Sequence, residues 1–242
     1  MCQICEHTQH ENSRRGFLGL LGAATAGYAF AGNAIAAEIK VPPKPQNVVS
    51  PDAALALLTA GNKRYGEGVM RRHDFRNERE PLSKGQNPYA AILSCADSRI
   101  APELAFDSAR GDLFVCRVAG NFANDDIVAS LEYAVAVLKT PLIMVLGHSA
   151  CGAIASTIES LRDKTTLPGH LPSLVASLSG AVKASEGKPG DLLENAITQN
   201  VSDTVQKLKN AAPILNASIA QAKLKVVGAV YRLSDGHVDI IV

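Results

Sequence analysis

Residues 141–152 read Pro-Leu-Ile-Met-Val-Leu-Gly-His-Ser-Ala-Cys-Gly. The unbroken apolar run from 142 to 146 suits a strand buried on both faces, as in a parallel sheet covered by helices on each side. Shorter apolar runs at 89–94, 112–117 and 225–231 share that character. Residues 237–242 alternate more and follow the turn Ser234-Asp-Gly236, so they read as an edge strand hairpinned to the fourth. Helical stretches fall between the strands, at about 125–138, 152–162, 191–209 and 212–222. In the third, Leu193, Ile197, Val201, Val205 and Leu208 recur at intervals of three or four, with Asp191 as cap. Ser50-Pro51-Asp52 opens a helix that reaches about residue 65, with Ser as N-cap and Pro at the first helical position. Ala54, Leu57, Leu58 and Gly61 lie along one side of it. Residues 66–88 are charged and carry Gly and Pro, so they read as loop and irregular turns. Alternating β and α elements predict an α/β fold: an open sheet of about four parallel strands plus an antiparallel edge strand, with helices on both faces and an N-terminal helical arm. One domain over residues 51–242 accounts for all of it.

Composition excludes several classes. Of 242 residues, 47% are hydrophobic and 19% charged, which is ordinary globular usage without a disordered or fibrous signature. A formal net charge of +1 with no basic cluster gives no nucleic-acid surface. Aromatic content of 5% with no Trp argues against a stacking platform. Cys2 and Cys5 precede the mature part, which leaves Cys95, Cys116 and Cys151. An odd, sparse set like this is not a disulfide framework.

The first 36 residues have the parts of an export signal. Arg14-Arg15 precedes Phe17-Leu18, an apolar stretch rich in Ala and Gly runs to residue 37, and Ala34-Ile35-Ala36 supplies a small-residue cleavage site. The paired arginines resemble the twin-arginine type, which implies the twin-arginine export machinery as a partner and a periplasmic or otherwise exported destination. A membrane anchor over 17–37 is the competing reading, weakened by the glycines at 19, 22, 27 and 32. Cys2, Cys5, His7 and His10 look like a metal cluster, but they stand before the twin arginine and leave with the signal. Residues 37–50, with Val41-Pro-Pro-Lys-Pro45, form an extended linker.

The chemistry concentrates where strands end. The first strand delivers Ser94-Cys95-Ala96-Asp97-Ser98-Arg99, and the third delivers Gly147-His148-Ser149-Ala150-Cys151-Gly152. Open α/β sheets bind ligands beyond the carboxyl ends of their strands. His148 and Cys151 can reach one ion from a turn entering a helix, and Cys95 adds a third ligand. A Cys2His set leaves a fourth zinc position open, as catalytic sites do. An oxidised Cys95–Cys151 pair is the alternative that an exported location permits. Asp97 and Arg99 share the direction of Cys95 if the segment is extended. An Asp beside an Arg stays ionised, and such a carboxylate can orient a zinc-bound hydroxide. Without Arg99, Asp97 could itself join the zinc and close the site; the bland alternative is a surface ion pair. Cys116 reads as core, and His73, His170 and His237 as satisfied polar groups.

Cys95-Ala-Asp-Ser-Arg99 and His148-Ser-Ala-Cys-Gly152 resemble the two signature segments of β-class carbonic anhydrases, and the likeness runs from about Leu58 to the C-terminus. That resemblance implies one zinc per chain and reversible hydration of carbon dioxide to bicarbonate by zinc-bound hydroxide. Asp97 and Arg99 take the catalytic roles. The plant-type branch places substrate-binding groups at Gln86, Phe114 and Tyr133, with Ala119 and the Gly152 backbone completing the pocket. The other branch has a Trp before the first Cys, where this chain has Ser94. Arg117-Val118-Ala119-Gly120-Asn121 departs from the usual Arg-Asn-x-Ala-Asn, so a hydrogen bond supporting the pocket wall is lost. The family also implies a homodimer or higher homo-oligomer, with the pocket near the subunit interface and the helix from Pro51 embracing the partner. Hydrolysis of carbon disulfide or carbonyl sulfide on the same zinc, a non-catalytic zinc protein and a redox dithiol are the competing functions.

Overall fold

The computed structural model describes residues 49–242. The twin-arginine signal, the Cys2–Cys5 cluster and most of the linker lie outside the described residues. Strands β1 (Ala90–Ser94), β2 (Leu113–Arg117), β3 (Leu142–His148), β4 (Lys225–Tyr231) and β5 (Val238–Ile240) form one sheet in the order β2-β1-β3-β4-β5. The first four are parallel, and β5 pairs antiparallel with β4. The edge strand is shorter than the alternation suggested.

Strand alternation sorts the core into two layers. Ile92, Met144, Leu146, Val227 and Ala229 face α1 (Pro51–Gly66) and α3 (Pro102–Ala105), packing on Leu58, Ile100 and Phe106. Leu93, Ile143, Val145 and Val226 face α4 (Asp125–Ala136), α7 (Leu192–Asn210) and α8 (Ile214–Ala220), packing on Leu131, Val201, Val205 and Leu215. Both faces of the inner strands are therefore dry, which is why their sequences are apolar without alternation.

Ser50 caps α1 by accepting from the Ala53 N–H at 3.2 Å. Ala54, Leu58 and Gly61 form the buried side with Asn62, whereas Leu57 is 41% exposed and faces outward. A methyl group on Gly61 would sit 1.9 Å from the Phe106 carbonyl oxygen, so only glycine lets α1 approach α3 this closely. Asn62 fastens the helix further: its amide donates to Ala105 O at 3.0 Å and Gly236 O at 2.8 Å, and its oxygen accepts from Val238 N–H at 2.8 Å.

The structure corrects some local expectations. Residues 79–84 form a short helix, α2 (Arg79–Lys84), inside the stretch expected to be loop. A longer helix, α6 (Leu171–Ser185), buries Leu178, Ala181 and Val182 where no helix was expected. Its Pro172 and its Ser- and Gly-rich middle break the apolar period, so packing rather than pattern holds it. His73 is not satisfied: its buried Nε2 has no hydrogen-bond partner and stands 3.6 Å from the Asp107 carboxylate.

Candidate metal centre

Neighbouring strands deliver the donors side by side. Ser94, the last residue of β1, is level with Leu146 of β3. Cys95 follows β1, His148 closes β3, and Cys151 stands at the N-cap of α5 (Gly152–Asp163). Their sulfur and nitrogen donor atoms lie within 4.8 Å of one another, and all three residues are buried. Both cysteines are free thiols, so the pair is not a disulfide here.

His148 Nδ1 lies 2.9 Å from the Ser149 carbonyl oxygen, a contact in which Nδ1 carries the proton and donates. Its Nε2 is then a bare lone pair. That atom is buried and has no hydrogen-bond partner. An orphaned buried acceptor is costly, and a metal ion is the partner this donor set fits: two thiolates and an imidazole match zinc's tetrahedral sulfur and nitrogen chemistry. Ile154, Leu178, Val182 and Ile197 pack around the sulfurs and keep their surroundings apolar.

The sulfurs are not equivalent. Hydrogen bonding from the Cys151 thiol is the largest influence holding Cys95 well below the usual thiol range, with the Gly120 N–H adding to it. The same shared hydrogen bond, followed by burial, pushes Cys151 up.

Asp97 stands beside this group without joining it. Arg99 grips the carboxylate with Nε on Oδ1 at 2.9 Å and Nη2 on Oδ2 at 2.7 Å, while Asp97 Oδ2 lies 3.8 Å from His148 Nε2. The side-chain bonds from Arg99 hold Asp97 far below the usual carboxylate range. The geometry behind this differs from an extended segment. The Arg99 N–H donates to Asp97 Oδ1 at 2.9 Å, and Ile100 N–H to Asp97 O at 3.3 Å, so a tight Asx-type turn brings the two side chains together. Arg99 also donates to Ala150 O at 3.1 Å, which ties the Cys95 loop to the His148–Cys151 turn. Ala150 there takes a left-handed φ of 53°.

Residues 117–121 form the floor under Cys95. Gly120 N–H donates to Cys95 Sγ at 3.3 Å, and Asn200 of α7 holds Gly120 in place by donating to its carbonyl at 2.8 Å. Val118 supports the wall through its backbone alone, accepting from Ala96 N–H and donating to Ser94 O, both at 3.2 Å. Arg117 donates to three backbone carbonyls of the loop: Cys95, Asp97 and Ile100. Arg117, Gly120 and Asn200 were not singled out as site residues from sequence. Bonds between a side chain and a distant backbone leave no spacing signature, and only the left-handed conformation at Gly120 had a residue type to betray it.

The expected pocket residues divide into two sets. Ala119 lies in the 117–121 segment beside Cys95, and Gly152 opens α5 directly after Cys151. Gln86 is exposed and precedes the far end of β1, so roughly 16 Å of strand separates it from Cys95. Phe114 is level with Ala91, about 13 Å along the sheet from Cys95. Tyr133 stacks on Phe114 with ring centroids 6.2 Å apart. Gln86 and Phe114 thus stand toward the other end of the sheet from the metal group of their own chain.

Fold and site together define an α/β protein with a Cys-His-Cys group that could hold a metal ion and an Asp–Arg pair beside it, at the carboxyl end of a parallel sheet. Residues 90–238 match the family model described as carbonic anhydrase. A carbonic anhydrase of Mycolicibacterium smegmatis is 33% identical over 192 residues, covering 79% of this chain and 93% of that protein. The solved β-carbonic anhydrase CcaA is 31% identical with a TM-score of 0.59, covering 77% of this chain and 98% of its own. The β-carbonic anhydrase of Coccomyxa, solved with acetazolamide, is 27% identical with a TM-score of 0.59, covering 78% and 82%. The chain belongs to the carbonic anhydrase family of enzymes, in its β class.

Proposed function

We propose that the protein catalyses the reversible hydration of carbon dioxide to bicarbonate and a proton, on one zinc ion held by Cys95, His148 and Cys151. The position of Asp97 carries the proposal: ionised, doubly gripped by Arg99, and 3.8 Å from the unpartnered His148 Nε2 without entering the donor group. Zinc held there supplies Lewis acidity that makes a carried water ionise more readily, an effect for which carbonic anhydrases are themselves the reference case. Asp97 accepts a hydrogen bond from the attacking oxygen and orients its lone pair toward substrate. Having no proton of its own near neutral pH, it acts only as acceptor. Arg99 keeps the carboxylate from becoming a fourth ligand, and release of that grip would produce the closed form. The Gly152 N–H, in the first turn of α5, offers a donor to the bicarbonate oxygen as negative charge develops.

Gln86, Phe114 and Tyr133 complete the pocket from a second copy, since Gln86 and Phe114 lie toward the other end of the sheet from Cys95 and Tyr133 packs on Phe114. That placement supports a homodimer at least. Ser94 in place of Trp, together with the Asp97–Arg99 grip, supports the plant-type branch. Arg14-Arg15 and the leader that follows support twin-arginine export to the periplasm. Loading zinc before export would protect Cys95 and Cys151 from oxidation. The test is stopped-flow hydration of carbon dioxide at pH 8.5 by the purified, zinc-loaded protein. Activity that disappears with chelation and returns with zinc is expected; a zinc-replete protein without hydration would sink the proposal. Sulfide release from carbon disulfide by that protein would reassign the substrate.

A further inference from the structure

The loop over residues 95–100 carries a zinc ligand and the orienting carboxylate, yet it has no helix or strand of its own. One side chain gives it three hydrogen bonds from outside, beside single bonds to Val118 O and Ala150 O and from the Gly120 N–H. Arg117 closes β2 and is level with Ser94 across the parallel ladder. Its Nε donates to Cys95 O at 3.0 Å, and its Nη2 donates to Asp97 O at 2.7 Å and to Ile100 O at 3.0 Å. Arg117 forms no ion pair with a carboxylate among the described residues. A full positive charge is thus directed at three neutral carbonyls of a single loop, and charged donors make the stronger hydrogen bonds.

Asp97 is consequently gripped twice. Arg99 holds its carboxylate, and Arg117 holds its backbone carbonyl along with those of the residues two before and three after it. We propose that Arg117 is a positioning residue for catalysis, which through the carbonyls of Cys95, Asp97 and Ile100 sets the pose of the Cys95 sulfur and the stand-off of the Asp97 carboxylate from the metal group. The planar guanidinium fork suits acceptors that converge from several directions, whereas a lysine ammonium is a single point on a flexible stem and cannot hold the same set. This role rests on the hydration function proposed above.

Arg117→Lys and Arg117→Gln test it in the full mature chain loaded with zinc, and again with cobalt(II) in its place. Metal content, melting temperature, kcat and KM for hydration, and the visible cobalt bands are measured together. Arg117→Lys is expected to keep one metal per chain and melt within a few degrees of wild type. Its kcat should fall about 10- to 100-fold with little change in KM, as a misplacement near 1 Å does. Its cobalt bands should shift. A lysine variant with wild-type kcat and unshifted bands would overturn the proposal, as would a loss of stability alone. If the glutamine variant does not fold, the lysine variant decides. If wild type hydrates no carbon dioxide, the functional proposal fails separately, and the cobalt bands still judge Arg117.

Discussion

Gly120→Ala is a small change with a calculable cost. Gly120 is buried at φ +83°, a conformation that L side chains rarely adopt. Left-handed backbone costs an L residue about 1–2 kcal/mol. The added methyl would also lie 2.8 and 2.9 Å from the two terminal carbons of Leu178, and overpacking of this kind costs about 1–3 kcal/mol. Together the destabilisation is roughly 2–5 kcal/mol, which for a domain of this size lowers Tm by about 4–20 °C. Thermal unfolding followed by circular dichroism, with and without zinc, measures it. The Gly120 N–H also feeds Cys95 Sγ, so the rise in Tm on adding zinc should shrink in the variant. Adding Leu178→Ala should relieve the crowding but not the backbone strain, giving a coupling of about 1–3 kcal/mol between the two sites. A single variant that melts like wild type, or a double variant whose effects simply add, would contradict this role for Gly120.

Asp97→Asn keeps the shape of the side chain and removes its charge; it should retain zinc by elemental analysis while kcat/KM falls about 10²- to 10⁴-fold. Arg99→Gln probes pH dependence. The Asp97 carboxyl is held below its unfolded value, so its contribution to stability is present above about pH 4 and is lost as pH falls toward the folded value. The difference in urea midpoint between wild type and Arg99→Gln should therefore be fully developed at pH 7 and shrink below about pH 4; a difference that grows on acidification contradicts this. Asn200→Ala leaves the Gly120 carbonyl without its buried donor and should cost about 1–3 kcal/mol in urea unfolding.

The fold was legible where burial leaves a direct mark. Residues 142–146 are apolar because helices cover both sheet faces, and the Ser50-Pro51 start of α1 is a local signal that needs no tertiary partner. Helix α6 was not legible, because its buried face is built from Leu178, Ala181 and Val182 around serines and glycine that blur the period. The donor set was legible because sulfur and imidazole at two strand ends have few structural uses. The route by which Asp97 meets Arg99 was not. An Asx-type turn and an extended strand both converge these residues, and only the Arg99 N–H to Asp97 Oδ1 bond distinguishes them. Arg117 and Asn200 act on backbone carbonyls far away in sequence, so nothing in their neighbourhoods announces them. Gln86, Phe114 and Tyr133 were named by similarity alone, and strand register then puts Phe114 level with Ala91, away from the Cys95 end of the sheet.

In the proposed enzyme, Cys95, His148 and Cys151 hold a zinc ion whose fourth position is open to substrate. X-ray absorption at the zinc edge, on zinc-loaded protein shown to be active, tests this. Two sulfur scatterers, one imidazole and one light scatterer that a small anion displaces are the predicted shell. A third sulfur, a second imidazole, or a light ligand that no anion displaces and that Asp97→Asn removes would contradict it.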